Sequence, residues 1–431
     1  MSRPLNVSTF AKSVARSTVM AQPGISIGEF KEHLRNQIST STPQSVAQLG
    51  DSVLKDLNQL VHLILQQDFS LAVEEKLAAI FPSLYKLYAA ADIPRNMRTR
   101  RFINKGGLVI SPDHCVNTIK DAKRVYCFIK GVHQQISHMA SDGHPVRIAY
   151  PACGPFAPFV LPLLAYYSAI PNAHSCTFTF IDIQPGAIHA LKFLLTTLGM
   201  SRLVEDTVCM DALEYTPTQP FDIVVLEAMQ HGFSREAHLQ LAMRFARYLT
   251  PDGVLLPKKI VVGASLVNAQ TEFVDQWHSE TGNRFLRTQP KPAQAQRLFL
   301  GQLLTLDIEQ IRHWNNAADP ATDEPIPCGT VTLPTLPASQ RPYTLIIHST
   351  VSVCDGLDIA EYESGITHPL PDPQVCINYQ PNSPEPGDLI VNSGDILQFY
   401  YCHVGIPGFL PVKVTVTEPE SEPGSESGAA S

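Results

Sequence analysis

The segment FDIVVLEAMQHGFSRE, residues 221–236, decides the architecture. Its apolar run over 221–226 ends in an acid, Glu227, and a second acid, Glu236, stands nine positions later, where REAHLQLAMRFARYL takes up helical spacing. A short, continuous apolar run, then a loop, then an amphipathic helix is one unit of a parallel sheet covered on both faces. A loop that returns on itself over that distance brings both carboxylates to one pocket. Such a pocket suits a cation, and best a guanidinium, whose planar fork of N–H donors matches carboxylate oxygens bidentately and stays protonated in water. The same residues also admit a plainer reading, with Glu236 in the first turn of the next helix, where the macrodipole favours an acid, and Glu227 on the surface.

The same unit repeats upstream. VRIAY (146–150), CTFTFIDI (176–183) and a short TVCM (207–210) read as strands, with the helix PGAIHALKFLLTTLGM (185–200) among them. Strands alternating with helices predict a mostly parallel, Rossmann-like sheet with crossovers. The uncharged stretch 148–170 contains Pro151, Pro155, Pro158 and Pro162. Those prolines would break a membrane-spanning helix repeatedly, so the stretch is expected to be buried core and no membrane association is expected. A turn is predicted at Thr250-Pro251-Asp252-Gly253. Beyond it VLLPKKIVVGASLV, RLFLGQLLTLD, YTLIIHSTVSV, DILQFYYCHV and LPVKVTVTE are strand-like without strong helices, predicting an all-β, barrel-like domain.

The chain is expected to divide into a disordered start (1–25), an N-terminal helical region (26–110), the Rossmann-like domain (111–253), the β domain (254–416) and a disordered acidic tail (417–431). In the helical region Val46, Leu49, Val53, Leu57, Leu60, Val61 and Ile64 form a stripe that would cover the main domain or pair two subunits. A further helix is expected between Val116 and Ile136, followed by a short loop at 141–145. The first 28 residues carry Arg3, Lys12 and Arg16 with serines and no acid, which suits either a transit peptide or a disordered start. A net charge of −8 argues against nucleic-acid binding through phosphates and is compatible with a cationic substrate. Nine scattered cysteines, none spaced C-x-x-C, indicate neither a disulfide framework nor a zinc site, and a reducing, cytoplasmic setting is expected.

The alternating region also carries the parts of a nucleoside site in order. The first strand runs into Ala152-Cys153-Gly154, small residues where a ligand can approach the backbone; the second ends at Asp182, suited to ribose hydroxyls. The third ends at Asp211-Ala212, suited to an adenine edge, and the fourth delivers Glu227. G-x-G-x-x-G is missing, which points away from NAD and toward S-adenosyl-L-methionine.

With these residues in place, FDIVVLEAMQHGFSRE and the YLTPDGVLLP that follows its helix resemble the double-glutamate loop of the protein arginine methyltransferase family, including a methionine, Met229, two positions after the first glutamate. Asp121-Ala-Lys-Arg124-Val-Tyr-Cys-Phe128 is similar to the family's helix motif, and Thr367-His368 resembles its threonine-histidine loop. The similarity covers roughly residues 110–415. Departures are Phe156 where a glycine is usual, Tyr150 where an acid is usual, Ala228, Gln230 and His231 for a tryptophan, a glycine and a tyrosine, and Pro369 for a tryptophan. These alter pocket shape more than charge.

The resemblance implies an S-adenosyl-L-methionine-dependent methyltransferase acting on arginine, free or within a peptide or protein, and a homodimer. Arg124 would hold the cofactor's carboxylate, Asp182 its ribose, and Asp211 with Ala212 its adenine. Met229 would pack at the sulfonium, and His114 is a further cofactor contact or else a capping histidine. Glu227 and Glu236 would clamp the guanidinium, and His368 would pair with Asp121. The region between Glu272 and Leu298, where the family carries a subunit-contacting arm, is short. Two other readings stay open: a methyltransferase for a different amine or hydroxyl, and a non-catalytic scaffold.

Overall fold

The computed structural model describes residues 45–140, 145–170, 176–275, 297–317, 323–336 and 343–414. The expectations for the start, the loop at 141–144, the arm at 276–296 and the acidic tail lie outside these residues. The first helices are α1 (Val46–Gln66) and α2 (Leu71–Ala90). In α1 the stripe from Leu49 to Ile64 is buried as its spacing predicts, while Val46 is exposed. The N-terminal region is not helical throughout. Strands β1 (Phe102–Asn104) and β2 (Gly107–Val109) form an antiparallel hairpin whose turn is closed by Asn104 Oδ1, accepting from the N–H groups of Gly106 and Gly107 at 3.0 Å each.

Helix α3 (Ala122–Met139) follows and starts at Asp121, whose side chain accepts from the Arg124 N–H. The parallel sheet then builds from β3 (Val146–Pro151), α4 (Leu161–Ala169), β4 (Cys176–Asp182), α5 (Pro185–Thr197), β5 (Val204–Cys209), β6 (Phe221–Val225), α6 (His238–Ala246) and β7 (Leu249–Leu256). The strand order is β5-β4-β3-β6-β7, all parallel. Strands β3, β4 and β6 are buried along almost their whole length, as strands covered on both faces must be, and β5 at the edge is partly exposed. The order reverses between β3 and β6, so a crevice opens there beyond the strands' carboxyl ends.

The Thr250–Gly253 turn occurs inside β7. Leu249 pairs with Phe221 and Val254 with Ile223, so four residues loop out of the ladder and the strand resumes. The parallel sheet therefore ends at Leu256, three residues past the expected boundary at 253. Beyond it come β8 (Lys259–Asn268), β9 (Leu298–Asp307), α7 (Ile308–Ala317), β10 (Ile326–Thr332), β11 (Tyr343–Cys354), β12 (Leu357–Ile359), β13 (Leu370–Asp372), β14 (Val375–Ile377), β15 (Leu389–Val391), β16 (Ile396–Cys402) and β17 (Gly408–Val414). Strands β12-β11-β8-β9 with β13 form one antiparallel sheet, and β10-β16-β17 another. Helix α7 corrects the expectation of an all-β region. It starts where Asp307 accepts the Gln310 N–H at 2.9 Å, and it is tied to α6 by Asn315 Nδ2 donating to the Met243 carbonyl at 2.9 Å.

The described residues from Leu49 onward form one compact unit. Helix α3 is wedged within it: Cys127 Sγ reaches the Asp358 carbonyl and Gln135 Nε2 reaches Cys354 Sγ, both on the antiparallel sheet. Among the described residues no helix is long and apolar enough to cross a membrane.

Candidate active site

A cavity of about 410 Å³ occupies the crevice at the carboxyl ends of β3, β4 and β6. Arg124, Ala152, Cys153, Gly154, Asp182 and Asp211 line it, as do Ala212, Glu227, Met229, Glu236 and His114. These residues thus converge on one space, whereas Asp121 and His368, also singled out in the sequence, are not among the residues that line it.

The loop after β6 explains how the two glutamates meet. Gln230 and Ser234 exchange backbone hydrogen bonds, at 3.0 and 3.4 Å, folding the chain back on itself between Glu227 and Glu236. Gly232 at the tip has φ +65°, and Phe233 and Arg235 also hold left-handed backbone at +52° and +69°. Each of the two non-glycine residues costs on the order of 1–3 kcal/mol unless its surroundings fix it. They do: Phe233 is fully buried against Tyr401 and His238, the Leu108 N–H donates to the Arg235 carbonyl at 2.7 Å, and the Arg235 N–H to the Pro407 carbonyl at 2.7 Å. Glu236 stands before the Ala237 cap of α6 and outside its first turn, so the macrodipole reading gives way to the cavity. A Cβ on Gly232 would sit 2.7 Å from the Leu370 Cβ. Gly232→Ala is therefore expected to destabilise the protein by about 1–3 kcal/mol, measured by urea denaturation, and an unchanged midpoint would mean the loop tip is free to shift.

The electrostatics are those of an acidic pocket with one internal cation. Arg124 is almost fully buried and bridges Asp121 Oδ2 at 3.1 Å and Glu227 Oε2 at 3.0 Å. Burial pushes Glu227 above the usual carboxylate range, against the pull of Arg124. Burial, and after it the Glu227 charge, push Glu236 up to about 8. Asp182 is raised to about 6 by burial although its carboxylate accepts the N–H groups of Gln184 and Gly154 at 2.8 Å each. The thiols of Cys115 and Cys153 are held well up by burial, which keeps them as thiols and not nucleophiles.

Four further observations bear on the expected roles. Arg124 Nε is buried with no hydrogen-bond partner, and so is Gln184 Oε1, leaving one donor and one acceptor unmet at the cavity. Asp211 is held from both sides, Oδ2 by Asn104 Nδ2 and Oδ1 by the Leu213 N–H, each at 2.9 Å. Phe156 turns into the core, its ring edge-on to Tyr88, and does not plug the crevice. Tyr150, where an acid was expected, lines the cavity as a neutral hydroxyl, because burial and Glu227 raise it far above its ordinary range.

The link from Asp121 to the 364–368 turn runs through residues the sequence reading passed over. Asp121 Oδ2 accepts from the Ser364 hydroxyl at 2.7 Å and from the Gly365 N–H at 2.9 Å. Ser364 and Thr367 form a capping box, a pattern readable as S-x-x-T, which fixes this turn. His368 follows it, its ring 5.3 Å from that of Tyr362, and it does not line the cavity. Burial lowers the His231 pKa, with Arg235 and His368 adding to the effect. Asn104 and Gln184 were also missed. Gln184 was accessible in principle, two positions after the Asp182 strand end, whereas Asn104 sits on a hairpin not anticipated.

No protein-family model matches the chain, and no curated protein does. Among solved structures it is similar to the Trypanosoma brucei PRMT1 enzyme-prozyme heterotetrameric complex with AdoHcy, at 12% identity over 67% of this chain and 87% of that one, with a TM-score of 0.37. It is also similar to Arabidopsis thaliana protein arginine methyltransferase 10, at 13% identity over 67% and 87%, with a TM-score of 0.42.

Proposed function

We propose that the protein is an S-adenosyl-L-methionine-dependent N-methyltransferase acting on the guanidino group of arginine, free or in a peptide. The observation that carries this reading is the placement of Glu227 and Glu236, two buried carboxylates, in one cavity at the sheet's switch point. Two acids forced together out of water repel, and a flat cation with several N–H donors relieves both. A neutral alcohol would leave that repulsion in place, and a simple ammonium would match it less well.

The cavity's remaining groups fit the cofactor. The unmet Arg124 Nε is a charged donor for a carboxylate, Asp182 has lone pairs left for hydroxyls, and Ala152 to Gly154 expose backbone at a turn with positive φ at Ala152 and Gly154. Asp211, fixed by Asn104, and Ala212 would flank the base, Met229 would pack at the sulfonium, and His114 would be a further cofactor contact. When bound, the cofactor supplies a methyl group on a positively charged sulfur. The chain's part is positioning: the glutamates fix one terminal nitrogen and draw positive charge toward the far side of the guanidinium. Glu236, whose basicity is raised, is the acceptor for the proton that must leave the nitrogen. Asp121 positions Arg124 and is itself fixed by Ser364 and Gly365, and His368 follows the turn that carries both.

Because Glu236 titrates near 8 when no cation is present, a guanidinium must displace its proton at neutral pH. Affinity should rise by about tenfold per pH unit between 6 and 8 and flatten above, with proton release seen by calorimetry in buffers of different ionisation enthalpy. The same shift has the opposite sense for the free protein. Between the ordinary value of 4.5 and about 8 the folded state holds a proton that the unfolded state has lost, so stability falls as pH rises through that window. A pH-independent affinity would remove Glu236 from the site. The assignment itself is tested by methyl transfer from labelled cofactor to free arginine, a Gly-Arg-rich peptide and a neutral alcohol. Label on an arginine acceptor supports it; label only on the alcohol, or none with cofactor bound, rejects it.

A further inference from the structure

A second cavity, of about 810 Å³, lies beside the first, sharing α3 with it. Lys123, Tyr126, Cys127, Lys130 and Gln134 recur at three and four along α3, so they form one stripe adjoining the face that carries Arg124. The other walls are the turn between α1 and α2, with Phe69 and Leu71; the turn between β11 and β12, with Leu357; and two acids, Glu74 and Glu363.

The polar groups of this space are nearly all committed, with one exception. Lys123 is paired with Glu363 at 3.7 Å and lies over the Phe69 ring. Lys130 donates to the Gln67 carbonyl at 3.0 Å and to the Tyr126 hydroxyl at 2.7 Å. Asp355 is paired with Lys258 at 3.2 Å. Glu74, on the first turn of α2, is only 7% exposed, and its Oε2 is buried with no hydrogen-bond partner. What the cavity lacks is therefore a donor at Glu74. An anion would find both lysines held and four acids, Asp68, Glu74, Asp355 and Glu363, around it.

We propose that this cavity binds a small organic cation, a primary ammonium on an apolar body, with Glu74 receiving the ammonium and Phe69, Leu71 and Leu357 packing the body. An ammonium brings three N–H donors and no acceptor, which is the complement of an unpartnered carboxylate oxygen. A buried polar atom left unsatisfied carries a penalty that such a ligand removes. Glu363 immediately precedes Ser364, whose hydroxyl rests on Asp121, so the two cavities also share this turn.

The test titrates the full-length chain calorimetrically with 2-phenylethylammonium, using uncharged 2-phenylethanol as the control. A Glu227→Gln/Glu236→Gln background silences the first cavity as a cation site. The ammonium is expected to bind with one equivalent and the alcohol not. Glu74→Gln is expected to weaken binding by about tenfold or more, and Gln134→Trp, which fills the mouth from an exposed position, to abolish it. Should Glu74→Gln fail to fold, Gln134→Trp decides. No binding in this background, equal binding of the alcohol, or binding indifferent to both substitutions would overturn the proposal.

Discussion

Glu227→Gln is expected to lower the turnover of a guanidine acceptor by about a hundredfold to a thousandfold while S-adenosyl-L-methionine still binds. The substitution keeps the size of the side chain and removes its charge, in a cavity where burial magnifies each charge. The glutamate's work lies in orienting the acceptor and favouring the charge that develops on it, so the loss falls on the chemical step. Cofactor binding survives because Arg124 keeps Asp121 at 3.1 Å and its Nε remains unmet. Steady-state kinetics and a cofactor titration on the same preparation separate the two effects. Wild-type turnover by this variant, or a parallel loss of cofactor binding, would remove Glu227 from the proposed role.

Arg124→Ala should act in the reverse order, on stability and cofactor binding before turnover. The guanidinium bridges Asp121 and Glu227 in a nearly dry setting, and deleting it leaves two carboxylates close together without their cation. Breaking a buried pair from one side costs about 3–5 kcal/mol, and losing one charged donor to the cofactor's carboxylate costs about tenfold to a hundredfold in affinity. Combining Arg124→Ala with Glu227→Gln should restore part of the lost stability, because the stranded charge disappears with it. Denaturation of the single and double variants measures this coupling; strictly additive losses would mean that the 3.0 Å contact contributes little.

How much of this was legible in the sequence depended on whether the signal was local. The apolar runs of β3, β4 and β6 stand out because a strand covered on both faces needs continuous apolar residues. The acids after the strands follow from where parallel sheets bind ligands: Asp182, Asp211 and Glu227 line one cavity, together with Arg124 of α3. The fold-back between Gln230 and Ser234 has no local signature that would compel it, because it rests on left-handed backbone at Phe233 and Arg235, held largely by distant contacts with Tyr401, Leu108 and Pro407. The β1–β2 hairpin was hidden inside a region read as helical, although Asn104-Lys105-Gly106-Gly107 is a turn signal. Helix α7 was passed over where strands dominate, and Asp307 with Gln310 three positions on was its available marker. The Ser364–Asp121 contact joins residues 243 positions apart and left only its local half, the capping box, in the sequence.

In the proposed function Glu227 and Glu236 receive a positively charged, planar head group. Arginine and citrulline differ there by little more than charge, one terminal N–H₂ being replaced by a carbonyl oxygen, so the most direct measurement is a calorimetric titration of the cofactor-loaded protein with a Gly-Arg-rich peptide and its citrulline counterpart, repeated with the free amino acids. Binding of an arginine ligand with proton release at pH 7, and none of its citrulline partner, is the predicted result. Equal binding of the two, or no binding of either arginine ligand, would contradict it.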